Sequence, residues 1–311
     1  MRDAFARTIY DIAKADPKTF VVVADISPAA AMAPFLRDFP DQFVNVGLAE
    51  QAMISLCAGL ALRGCTPFAY TIATFSIYRP FEQVRDDLCY QNLPVTIVGV
   101  GAGVGYSLLG STHHAQEDVA IMGGLPNMSI LAPCDPAETV QAAWACARHT
   151  GPVYLRLGKA GEPDLTASAI DPFVFGKLRR ITEGSDVCIL GYGPILKTAF
   201  DVAKTLEGRG CSVSVVSAHT VKPLDEDGVA ALFSRFEHVV VIEETSVRGS
   251  LGVEVKRLAW ERRAACHVHA FALKDEFLHI YGSHQDLLRA HGLTAPQILE
   301  ALGGLSPART R

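Results

Sequence analysis

A chain of 311 residues, 49% hydrophobic and 20% charged, is long enough for two packed cores and too apolar to remain disordered. Its net charge of -5 argues against nucleic acid as a partner, because such binders concentrate Lys and Arg to displace counterions from phosphates. The opening Met1-Arg2-Asp3-Ala4-Phe5-Ala6-Arg7 lacks the apolar core of a secretory signal, and no run approaches a membrane span, so a soluble, cytoplasmic protein without a membrane partner is expected.

Short β-branched runs at 21–24, 44–46, 95–100, 129–131 and 153–157 alternate with helical patterns, which predicts an α/β fold with a mainly parallel sheet covered by helices. The clearest helix follows Glu50, with Met53, Leu56, Cys57 and Leu60 at offsets of three and four and Gly64 placed to end it. Asp135-Pro136-Ala137-Glu138 supplies an N-cap, a proline at the first helical position and a capping-box glutamate, so another helix starts there and runs to about residue 149.

Between Gly158 and Gly184 the pattern dissolves into Gly, Pro, Ser, Asp and Thr. The expected division is a first domain at 1–160, a linker at 161–180 and a smaller second domain at 181–311. Strands at 187–190, 213–216, 239–242 and 267–270, with helices from near Pro194, Asp225 and Gly249, make the second domain α/β as well. The eight cysteines are scattered through apolar segments without a Cys-x-x-Cys pair and read as buried thiols, neither zinc ribbon nor disulfide framework.

Several motifs fail. The glycines at 99, 101, 103 and 105 follow a strand, but no register gives Gly-x-Gly-x-x-Gly, and Gly191-Tyr192-Gly193 lacks the third glycine. Phosphate-loop, His-Glu-x-x-His and Gly-x-Ser-x-Gly sequences are missing. His113 with Glu117, and His114 with Asp118, have helical spacing but lack further predicted ligands, so no metal site is assigned.

Read as an ordered set, Asp25-Ile26-Ser27, Gly47-Leu48-Ala49-Glu50-Gln51, the aromatic stretch around Phe75, Gly110-Ser111-Thr112-His113-His114 and Gly151-Pro152-Val153-Tyr154-Leu155-Arg156 resemble the C-terminal part of transketolases and deoxyxylulose-phosphate synthases. The resemblance covers nearly the whole chain and implies two domains with mainly parallel sheets: a thiamine-diphosphate pyrimidine-binding fold, then a transketolase C-terminal domain. It implies transfer of a two-carbon ketol unit between anionic sugars such as sugar phosphates.

The resemblance gives Glu50 the catalytic role. A carboxyl buried at a strand-to-helix junction would favour its protonated form and hydrogen-bond the aminopyrimidine, promoting proton removal from the thiazolium carbon. The plain alternative is a first-turn glutamate favoured by the helix dipole. Phe75 stands where the family stacks an aromatic ring on the pyrimidine. Tyr78 and Phe81 continue at helical spacing, although such a stripe also fits a core and Pro80 interrupts the helix.

By the same resemblance Asp25 contacts cofactor or the neighbouring subunit, or else caps a turn. His113 is the active-site histidine near the transferred sugar, with His114 where glutamine is usual. Arg156, with Lys159 as an alternative, binds the distal anion of the substrate, a guanidinium suiting a bidentate contact; otherwise it is a solvated charge at a strand end.

The family's Gly-Asp-Gly sequence for Mg²⁺ and diphosphate is not found; the Asp227-Gly228 pair lacks its continuation. The Mg²⁺ ligands are therefore expected on a partner, a transketolase N-terminal-section subunit, in an α2β2 heterotetramer. Alternatives are the beta subunit of a 2-oxoacid dehydrogenase, a split deoxyxylulose-phosphate synthase and a non-catalytic regulatory subunit.

Overall fold

The computed structural model describes residues 1–26, 30–303 and 305. Ser27 of the Asp25-Ile26-Ser27 motif lies outside them, as does most of the tail after Gly303.

Twelve strands are present among the described residues: β1 (Thr19–Val23), β2 (Phe43–Asn45), β3 (Thr66–Ile72), β4 (Thr96–Val100), β5 (Ser129–Leu131), β6 (Val153–Leu157), β7 (Arg179–Arg180), β8 (Val187–Gly191), β9 (Val213–Ser217), β10 (Thr220–Lys222), β11 (His238–Ser246) and β12 (His267–Leu273). They form a seven-stranded sheet in the order β10-β5-β6-β4-β3-β1-β2 and a five-stranded sheet in the order β12-β11-β8-β9-β7. Only β10 and β7 run antiparallel to their neighbours. The fold is thus α/β with two mainly parallel sheets, as the strand-helix alternation predicts.

The sheets are less separate than two independent domains require. Strand β10 follows the five-stranded sheet's β9 in sequence yet pairs with β5 of the other sheet. One buried cluster runs from Met53 and Ile54 through Met122 to Leu251 and Val255, so the two halves share apolar packing. Residues 158–178 between β6 and β7 hold no helix or strand, and Thr166 is fastened by Asp135 Oδ2, which accepts its N–H and hydroxyl at 2.7 Å each.

The pattern does not reveal β3, which lies between β1 and β4 in the larger sheet. Its second residue is Pro67, and proline normally argues against a central strand; here it sits at the strand's start, where the lost N–H costs least. The helices Glu50–Leu62 and Pro136–Arg148 start where their signals stand, and Asp135 accepts from Glu138 N–H at 2.7 Å. No cysteine is in a disulfide, and all but Cys65 and Cys266 are buried.

Candidate active site

Parallel strands carry functional groups on the loops beyond their C-terminal ends. Just past β1, Asp25 adopts φ +47°, a left-handed conformation that Asp tolerates better than most residues. Asn45, ending β2, accepts the Asp25 N–H at 3.1 Å and the Gly47 N–H at 3.0 Å through Oδ1. One side chain therefore fixes both the Asp25 turn and the turn that delivers Glu50. Gly47, at φ +72°, allows that reversal.

Glu50 is the first residue of the helix Glu50–Leu62 and only 2% exposed. Its Oε1 accepts from Arg79 Nη1 at 2.8 Å; Oε2 has no hydrogen-bond partner among the described residues. The Arg79 guanidinium also lies over the Phe75 ring, 4.2 Å from its centroid. His113 meets Phe75 edge-on, with centroids 5.1 Å apart, and its Nδ1 is 3.0 Å from Thr112 Oγ1. The structure thus brings Glu50, Phe75 and His113 together around Arg79, a residue the motif reading passes over although it stands four residues after Phe75.

The chain around these aromatics is irregular. The helix Ala73–Ile77 stops before Pro80, a turn covers 78–80, and Phe81–Gln83 leads into a π-helical stretch, Val84–Tyr90. Phe81 packs against the core instead of continuing an aromatic wall. Tyr78 is 37% exposed and its hydroxyl donates to Glu117 Oε2 at 2.6 Å. Burial of much of its ring and that hydrogen bond raise the phenol pKa, keeping Tyr78 neutral.

Residues 111–113 form a single 3₁₀ turn and the next helix begins at Asp118, so the histidine-carboxylate pairs at 113/117 and 114/118 do not share a helix face. His114 is buried with neither ring nitrogen partnered among the described residues, and burial lowers its pKa. No three His, Cys, Asp or Glu side chains are grouped to hold a cation among the described residues.

For Arg156 the structure overturns both sequence expectations, a substrate-anion contact and a solvated strand end. Strand β6 continues to Leu157 and is buried throughout. Strand alternation places Val153, Leu155 and Leu157 in one core and turns Tyr154 and Arg156 toward the second half of the chain. Arg156 Nε donates to Asp118 Oδ2 at 2.7 Å and Nη2 to the Glu244 carbonyl at 2.7 Å, while Tyr154 Oη donates to the same Asp118 oxygen at 2.9 Å. Burial alone would lower the Arg156 pKa, but the Asp118 carboxylate and the neighbouring phenols outweigh it and hold the pKa above its usual value. With its donors committed inside the protein, Arg156 joins the two halves and does not meet a substrate anion.

Lys159, three residues on, is exposed and its Nζ lies 4.9 Å from the Tyr106 ring centroid. It borders a cleft of about 620 Å³ between the halves, together with Gly105, Glu244, His284 and Arg289. In that cleft the buried Glu244 carboxylate accepts from Val104 N–H at 2.8 Å and contacts His284 Nε2 at 2.9 Å. Glu244 raises the His284 pKa against the opposing effect of burial. A raised histidine pKa stabilises the fold fully below the unfolded value of about 6.5, and that contribution fades as pH climbs through the folded value. The gap in melting temperature between wild type and His284→Gln is therefore expected to be widest at acid pH and to close on the alkaline side; a constant gap from about pH 5.5 to about pH 9 would contradict the ion pair.

Comparison with known proteins follows the same division. Residues 1–161 match the family described as transketolase, pyrimidine binding domain, and residues 176–298 match transketolase, C-terminal domain. One of the two subunits of an apulose-4-phosphate transketolase from Actinobacillus succinogenes is 32% identical over 279 residues, covering 90% of this chain and 89% of the relative. A 6-deoxy-6-sulfo-D-fructose transketolase subunit of Clostridium sp. is 33% identical, covering 97% and 92%. A solved structure described as a split gene transketolase, inactive beta4 tetramer, superposes with a TM-score of 0.85 at 34% identity over 97% of this chain and 96% of that one. No helix among the described residues is long and apolar enough to cross a membrane.

Proposed function

This chain belongs to the transketolase family, and on that premise we propose that it is the cofactor-activating subunit of a thiamine-diphosphate-dependent transketolase, completed by a partner that binds Mg²⁺ and the diphosphate. The observation that carries the proposal is the buried Glu50 carboxyl, set beside Phe75 and His113 with one oxygen unclaimed among the described residues. Those groups suit an aminopyrimidine: a carboxyl to meet a ring nitrogen and an aromatic face to stack against it. When bound, thiamine diphosphate supplies the carbon nucleophile that attacks a ketose carbonyl. Glu50 holds or exchanges a proton at the pyrimidine nitrogen, Phe75 orients the ring, Tyr78 and Asp25 border the cofactor, and His113 faces the sugar hydroxyls. Our division of the chain is a pyrimidine-binding domain at 1–160, a linker at 161–180 and a C-terminal domain from 181.

Two features support a partner. The relatives named as transketolase subunits match over about nine-tenths of their own length. Apolar side chains that adjoin the site in sequence are exposed: Leu48 at 77%, Leu108 at 67% and Leu109 at 51%. The helix led by Glu50 is also apolar on its outer face, exposing Leu56 and Leu62, as a helix that packs on both sides would be. We assign the assembly as α2β2, working in the cytoplasm.

Lys159, not Arg156, is proposed to meet the distal anion of the sugar, whether phosphate or sulfonate. Losing one charge-assisted hydrogen bond costs about 1.5–3 kcal/mol, so Lys159→Ala is expected to raise KM roughly 10- to 100-fold with kcat little changed. The functional reading itself is tested by mixing the chain with its partner, thiamine diphosphate, Mg²⁺, a ketose donor and an aldose acceptor. Ketol transfer that needs both subunits is expected; a mixture that binds cofactor but transfers nothing would favour the regulatory reading.

A further inference from the structure

We propose that Arg79 is an internal stand-in for the cofactor's pyrimidine ring, occupying the subsite until the cofactor displaces it. This rests on the functional reading above. A guanidinium is flat, cationic and rich in N–H donors, and here it makes two contacts at once: it lies over Phe75 at 4.2 Å and donates to Glu50 Oε1 at 2.8 Å. Those are the stacking face and the carboxyl to which a pyrimidine would be directed. An arginine serving only to neutralise Glu50 would not need to lie on the ring.

The two partners differ in freedom. The Glu50 side chain is 3% exposed whereas that of Arg79 is 48% exposed, so Arg79 can swing into water while Glu50 stays in place. Arg79 sits in the 78–80 turn, between the end of the helix Ala73–Ile77 and Pro80, outside any helical segment. Displacement therefore requires side-chain rotation and no unwinding. The arrangement gives the carboxyl a partner before cofactor arrives, since a buried charge without one is costly.

The competition lowers apparent affinity by the fraction of molecules whose subsite is open. With Arg79 inward in about nine molecules of ten, removing it tightens binding about tenfold. The test is calorimetric titration of thiamine diphosphate, at saturating Mg²⁺, into the chain assembled with its partner subunit. Arg79→Met, which keeps the length but neither stacks as a plane nor pairs, is expected to lower Kd about tenfold. Arg79→Lys, which keeps the ion pair without the planar group, is expected to fall between Met and wild type, and both melting temperatures are recorded to establish folding. Unchanged or weaker binding by a folded Met variant overturns the stand-in role while leaving the functional reading intact. Absence of binding by every form, wild type included, overturns both.

Discussion

Glu50→Gln is expected to lower kcat of the assembled enzyme by about 10²–10⁴, the range for losing a positioned proton-transfer group. Glutamine keeps the shape and an oxygen for Arg79, so the buried site at the head of Glu50–Leu62 stays filled and melting changes little. What it loses is the capacity to exchange a proton with a ring nitrogen. Cofactor affinity, measured alongside, separates binding from chemistry: a fall in kcat with retained binding is the expected pattern. Full turnover by the glutamine variant would remove Glu50 from the reaction.

The second large effect falls on stability. Arg156→Met leaves the Asp118 carboxylate buried with only the Tyr154 hydroxyl and the Val119 N–H to meet it. Breaking a buried ion pair from one side costs about 3–5 kcal/mol. For a protein of this size the melting temperature should fall by roughly 10 °C. Replacing both partners, Asp118→Leu with Arg156→Met, is expected to recover part of the loss, because no charge is then stranded. Urea denaturation of the four proteins in the cycle measures the coupling. A single-variant loss below about 1 kcal/mol would place the pair in the range of solvated surface bridges, contrary to its burial.

Arg156 and Arg79 mark where sequence reading stops. Periodicity locates most strands and the helix after Glu50 because each depends on neighbours in the chain. Ser129–Leu131 and Val153–Leu157 are found at both ends. Arg156 is misplaced because its surroundings come from elsewhere: Asp118 lies 38 residues away and Glu244 lies 88 away. A basic residue near a strand end looks solvated until a second sheet covers it.

Arg79 is passed over for a different reason. An arginine after an aromatic stretch carries no special spacing, and its significance lies in a contact with Glu50, 29 residues earlier. Strand β3 shows the same limit locally, since Pro67 reads as a break although its position at the strand start makes it harmless. The resemblance to a known family brings Glu50, Phe75 and His113 onto one list, but their grouping at one edge of the sheet follows from the strand order.

The most direct measurement of the central claim, a cofactor site shared with another subunit, is calorimetric titration of thiamine diphosphate with Mg²⁺ into this chain alone and into its mixture with the diphosphate-binding partner. Tight binding in the mixture, with none by the chain alone, is the predicted result. Equally tight binding by the lone chain would contradict it.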